Sequence, residues 1–152
     1  MAADSSQGYT PASIGSVPLR IGAGLTLLYI HAWNQAIFAW QFVRHQQAWD
    51  SIDTLQGMGL PFPKVMAVVI AVIVTLTALS WIFGFYTRLF SLLFLPITLG
   101  GLLVANRAGH GFAAEGAVLY FFIAIAMILN GSGWLSLDAI LASRKPRKKR
   151  RR

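Results

Sequence analysis

Long apolar stretches alternate with short polar breaks along this chain, and charged residues mark the breaks. Arg20 and Arg44 enclose 23 uncharged residues, Lys64 and Arg88 another 23, Arg88 and Arg107 18, and Glu115 and Asp138 22. A helix needs ~20 apolar residues to cross the hydrocarbon of a bilayer. The pattern therefore predicts four spanning helices, at about 19–43, 64–84, 88–106 and 114–132. Each stretch is apolar around its whole circumference, with no polar face to turn toward water, which excludes the amphipathic helices of a soluble domain. Runs such as Val65–Ile73 do not alternate, which excludes the ~10-residue alternating strands of a membrane barrel. The expected fold is all-α: an integral membrane four-helix bundle over residues 18–141, between a polar segment at 1–17 and a polybasic tail at 142–152.

The breaks carry their own signals. Between Arg44 and Lys64, Trp49, Ile52 and Leu55 or Gln56 recur at helical spacing while Asp50 and Asp53 lie elsewhere on the wheel. That spacing predicts a short interfacial helix, ended by the turn-forming run from Gly57 to Pro63. Trp40, Trp49, Trp81, Tyr86 and Trp134 sit near the expected boundaries and read as interfacial anchors. Pro96 predicts a bend in the third span, with Gly100 and Gly101 allowing a close helix approach. Gly22 and Gly24 read as a packing notch in the first.

Composition sharpens the membrane reading. Hydrophobic residues make up 56% of the chain and charged residues 12%, against ~25% charged in soluble domains. The net charge is +8, but eight of the 13 Lys and Arg residues lie between Arg144 and Arg152. Such a run directly after a hydrophobic body faces anionic lipid, where each basic residue contributes ~1 kcal/mol; nucleic acid is not expected as a partner. The tail should also stay cytoplasmic. Four spans then place both termini in the cytoplasm, the Gly84–Arg88 turn inside, and the loops at 44–64 and 107–114 outside. With no cysteine, disulfides, thiol redox chemistry and thiolate metal sites are excluded. The first apolar stretch is too long for a signal-peptide core and no small-residue cleavage site follows it, so it is expected to be retained.

Candidate chemistry gathers in the first helix. His31, Asn34 and Gln35 fall at i, i+3 and i+4, hence on one face, and His31 lies roughly 16 Å beyond Arg20 along the axis, near mid-membrane. A polar, ionisable group at that depth is a functional candidate by default. It would contact a ligand head group, with Trp33 packing on it, or relay protons. The bland alternative is interhelical hydrogen bonding. A second group is expected at the outer face, where Arg44, Arg107 and Glu115 come to one level, with His45 and His110 as further partners of the carboxylate. Glu115 also opens the fourth helix, where the dipole favours it. A lone histidine gives no metal site. No phosphate loop, metal-binding pair or nucleophile triad is present, so no catalytic residue is assigned.

Several stretches, in order and at the right spacing, resemble the DoxX family of small bacterial four-helix membrane proteins: Leu19-Arg20-Ile21-Gly22, His31-Ala32-Trp33-Asn34, Gly59-Leu60-Pro61-Phe62-Pro63, Phe83-Gly84-Phe85-Tyr86-Thr87-Arg88, and Glu115 followed by Gly131-Ser132-Gly133-Trp134-Leu135-Ser136-Leu137-Asp138. The likeness runs from about Pro18 to Leu141. Two departures stand out: Val74-Thr75 falls where members often carry a glutamate, and Asn34 where they often carry lysine. The resemblance implies a multi-pass protein of the bacterial inner (plasma) membrane. It further implies an accessory subunit of a quinone-linked or other membrane redox system, not catalytic alone. Such a subunit would have no intrinsic cofactor, a quinone as ligand and a membrane redox protein as partner. The alternatives are a non-catalytic assembly or structural factor and, third, a small-solute transporter, for which one half-helix of polar residues makes no path.

Overall fold

The computed structural model describes residues 11–107 and 111–130, with side chains from 17–106 and 115–130. Every element among them is helical: α1 (Pro11–Leu27), a π-helical turn (Leu28–Ala32), α2 (Trp33–His45), α3 (Asp50–Gly57), α4 (Pro63–Phe83), α5 (Thr87–Arg107) and α6 (Gly111–Asn130). α1, the π-turn and α2 follow one another without a break, so the first helix starts well before the expected residue 19. The π-turn was not foreseen. The closing motif with Trp134 and Asp138, His110, and the tail lie outside the described residues.

Two of the helices end where local chemistry stops them. Gln46 closes α2 in the left-handed region, its N–H donating to the Phe42 carbonyl. Gly84 (φ 68°) closes α4, and its N–H and that of Phe85 both donate to the Ser80 carbonyl, at 2.8 and 3.2 Å. A left-handed glycine that satisfies the last carbonyls is a common helix stop. It reverses the chain within three residues, so α5 returns antiparallel beside α4.

α1 packs on α4, α4 on α5, α5 most extensively on α6, and α6 back on α1. α3 lies across α4 and α2, where Trp49 and Ile52 are buried with Ala39, Ala67 and Ala71. The main core holds Ala23, Leu27, Ala32, Val74, Ala78, Trp81, Phe94, Tyr120, Ala124 and Met127. The distribution is inverted relative to a water-soluble bundle. Alanine, serine and threonine fill much of the interior, while Leu25, Ile30, Val65, Val72, Leu92, Leu103, Leu119, Phe122 and Leu129 point outward. Small residues inside let helices approach closely, and large apolar ones outside suit lipid. Interior hydroxyls bond within the bundle: Thr75 to the Ala71 carbonyl at 2.8 Å, Thr77 to Ile73 at 2.7 Å, Thr98 to Leu95 at 2.8 Å. By length and composition, Pro63–Phe83 and Thr87–Asn106 can each cross a membrane, and Glu115–Asn130 is a shorter apolar helix.

Three expectations are corrected. Trp81 is fully buried and Trp49 nearly so: both are core residues, whereas Trp40 and Tyr86 are exposed as anchors should be. Gly100 and Gly101 meet no neighbouring helix among the described residues, since a Cβ at either would meet nothing within 4 Å. Of the expected notch, only Gly24 does the work. A Cβ there would lie 2.9 Å from Ile82 Cγ1, 3.0 Å from Ile82 N and 3.1 Å from the Ala78 carbonyl oxygen, whereas one at Gly22 would meet nothing.

Candidate functional site

The polar group of the first helix sits at the π-turn. A π-turn carries one more residue per turn than the α-helix and recurs at functional sites; here the Trp33 N–H reaches back to the Leu28 carbonyl. His31 is the fourth residue of the turn, and the extra residue resets the direction in which α2 leaves α1. The four candidates are consequently divided. His31 turns toward α6, its ring meeting that of Tyr120 edge-on at 5.7 Å and 83°. Asn34 is exposed on the same rod. Gln35 is engaged with α3, its side-chain amide exchanging 3.4 Å hydrogen bonds with the Ser51 hydroxyl. Trp33 is 62% exposed, and two residues along a helix do not share a face, so it points away from His31.

Tyr120 is the partner that the sequence did not mark. It sits in an unbroken apolar run, and only the antiparallel register of α1 and α6 brings it to the depth of His31. It is buried, and its ring continues inward to Phe94 at 6.4 Å, which meets Trp81 at 5.7 Å. Trp81 Nε1–H donates to the Ser91 hydroxyl at 2.8 Å. His31 is thus the outer member of an aromatic file that crosses the bundle.

The expected outer cluster does not assemble among the described residues. The Arg44 guanidinium lies over the Trp40 ring at 4.9 Å, Glu115 is exposed, and no ion pair joins the two. The Arg107 side chain lies outside the described set. No group of three or more His, Asp or Glu residues among those described can hold a metal ion. A separate groove of about 300 Å³ opens between α2 and α4, lined by Ala36, Ala39, Trp40, Val43, Val72 and Thr75 among others. Neither His31 nor Tyr120 lines it. Thr75 shows what the missing glutamate means: a hydroxyl bonded to its own helix stands where a charge would be.

Apolar helices of spanning length, small residues within and large apolar residues without define a membrane protein. The chain belongs to the DoxD family: the model of the TQO small subunit DoxD matches residues 58–151, more than half of its 152 residues. The match bears out the likeness to DoxX-type proteins and covers α4, α5 and α6. The first helix, with His31 and Asn34, precedes it. No curated protein and no solved structure matches the chain.

Proposed function

We propose that this chain is an accessory subunit of a quinone-linked membrane redox complex, holding the quinone head group at His31 and Asn34. The observation that carries the reading is the placement of these two residues. His31 lies within the π-turn at the middle of the long first helix and Asn34 just past it, and both are exposed rather than sealed between helices. Polar groups at this depth ordinarily face a bundle interior or a cavity, so side chains left open on the single chain are there to be covered by something else. A neutral imidazole donates from one nitrogen and accepts at the other, and an amide does both. Together they match a pair of quinone carbonyls and the quinol hydroxyls that replace them. Gln35, occupied by Ser51, and Trp33, turned away, are not part of the site.

In this reading the first helix, α4, α5 and α6 are the four spans. Both termini are cytoplasmic, the membrane is the bacterial inner membrane, and the basic tail rests on anionic lipid. The family description, a small subunit, supports a larger membrane redox partner that supplies the electron-transfer centre. The rival reading, an assembly or structural factor, draws on the Gln35–Ser51 and His31–Tyr120 contacts, which would then serve only to bind helices together. The test is binding of a short-chain ubiquinone to the protein in nanodiscs, with His31→Ala and Asn34→Ala alongside. Saturable binding, weakened at least tenfold in either variant while the melting temperature holds, is expected. Absence of binding in the parent protein would leave the assembly factor standing.

A further inference from the structure

We infer that the groove between α2 and α4 holds one acyl chain of an anionic phospholipid, whose phosphate is bound at the mouth of the groove by Arg44 and Lys64. This site is separate from the proposed quinone site, since neither His31 nor Asn34 lines the groove.

Two rows of side chains build it. On α2, Ala36, Trp40 and Arg44 follow one another at four-residue intervals, and on α4 Lys64, Val68, Val72 and Leu76 do the same. Residues four apart stand one above another on a helix face. Trp40 and Val68 both line the groove, so each row ends in a base one turn beyond a lining residue. The two bases stand at the same end. Gly24 meets Ala78 and Ile82, whereas Ala39 clusters with Ala67 and Ala71, so the first helix and α4 run antiparallel.

Arg44 is held at this mouth by a contact of its own. Its guanidinium lies over the Trp40 ring at 4.9 Å. A guanidinium stacked by its face keeps the N–H donors of its edge available. No carboxylate takes them: neither Arg44 nor Lys64 makes an ion pair among the described residues. Asp50 and Asp53, the acids between them in the chain, lie in the first turn of α3, where the helix dipole favours them. α3 gives no residue to the lining.

Below the bases the surface is apolar. Ala39 and Ala71 are buried and Ala36 half-buried, while Trp40, Val43 and Val72 are exposed at the rim. Thr75 supplies the one hydroxyl of the lining, and it already donates to the Ala71 carbonyl at 2.8 Å. From Ala36 to Val43 the slot runs roughly 10 Å along the helix axis. An isoprenoid tail would fill it without using either base, and so would the apolar face of a partner helix. An anionic phospholipid uses both parts at once. Arginine forks onto a phosphate and lysine adds a point charge, while the acyl chain runs inward from the head group along the slot.

The experiment uses phosphatidylglycerol brominated on its acyl chains, diluted into phosphatidylcholine nanodiscs, against brominated phosphatidylcholine at the same dilution. Bromine quenches a tryptophan that it touches. The share of Trp40 is the difference between each protein and its Trp40→Phe counterpart. The basic tail is common to all the proteins, so its attraction for anionic lipid cancels between parent and variants; helicity and melting temperature are recorded for each. In the parent, brominated phosphatidylglycerol should quench Trp40 at least twofold more than brominated phosphatidylcholine. Arg44→Gln/Lys64→Gln, which changes two exposed side chains, should abolish the excess, and Ala36→Leu, which fills the slot, should do the same. Arg88→Gln, an exposed base at the far end of α4, should keep it. Equal quenching by the two lipids in the parent overturns the inference and leaves the slot to a tail or a partner helix. An excess that persists in a folded Arg44→Gln/Lys64→Gln or Ala36→Leu protein overturns it as well. The quinone titration of His31→Ala is unaffected by either result.

Discussion

Trp81 illustrates how much a single side chain depends on its neighbours. It lies two residues before the end of α4, where a tryptophan reads as an interfacial anchor. The tight Gly84 turn instead folds α5 back over it, enclosing the ring completely. An enclosed indole must bond its N–H, and Ser91, on the next helix, accepts at 2.8 Å. Trp81→Phe keeps most of the buried ring but removes that donor. The expected cost is about 1–2 kcal/mol, read as a lower melting temperature in detergent. Ser91→Ala in the Trp81→Phe background should cost less than Ser91→Ala alone, because the hydroxyl has already lost its donor; equal costs would show that the two groups are not coupled. The sequence could place His31 by depth, since depth follows from counting residues. It could not choose which tryptophans turn inward, nor find Tyr120, since both depend on which helix lies alongside.

At the level of the helix, the same limit explains the π-turn. The length of the uncharged stretches made the long helices legible, and the spacing of Trp49, Ile52 and Leu55 made α3 legible. No residue in Leu28–Ala32 announces an inserted residue, because a π-turn is favoured by the contacts on either side of it, here α4 and α6 on the α1 side and α4 and α3 on the α2 side. Gly24 is the counterpart on the α1 side: it sets how closely α1 approaches α4. Gly24→Leu must push aside the α4 backbone at Ala78 and Ile82, and overpacking of this kind costs 1–3 kcal/mol or more. The variant should melt lower and expose α1 to protease. Gly22→Leu, two residues away and facing open space, should melt at or above the parent value, since leucine is the better helix former. Equal losses at the two positions would mean that α1 and α4 do not meet through Gly24.

Across the whole molecule, the proposed orientation rests on the basic tail. Of the 13 Lys and Arg residues, eight are in the tail. The remaining five divide almost evenly: Arg20 and Arg88 fall on the inner side of the proposed topology, Arg44, Lys64 and Arg107 on the outer. Without the tail the bias would slightly favour the reverse arrangement, although positive charge is normally retained inside. A chain with no cysteine allows this to be measured cleanly, because each introduced thiol is the only one. Gln47→Cys, in the exposed loop between α2 and α3, should react with an impermeant maleimide from outside intact cells. Arg88→Cys, exposed at the start of α5, should react only after the membrane is opened. Truncation before Arg144 should turn both into mixtures, each partly labelled from outside. Clean labelling of the truncated protein in the original sense would show that the hydrophobic body fixes its own direction, leaving the eight basic residues to act on lipid alone.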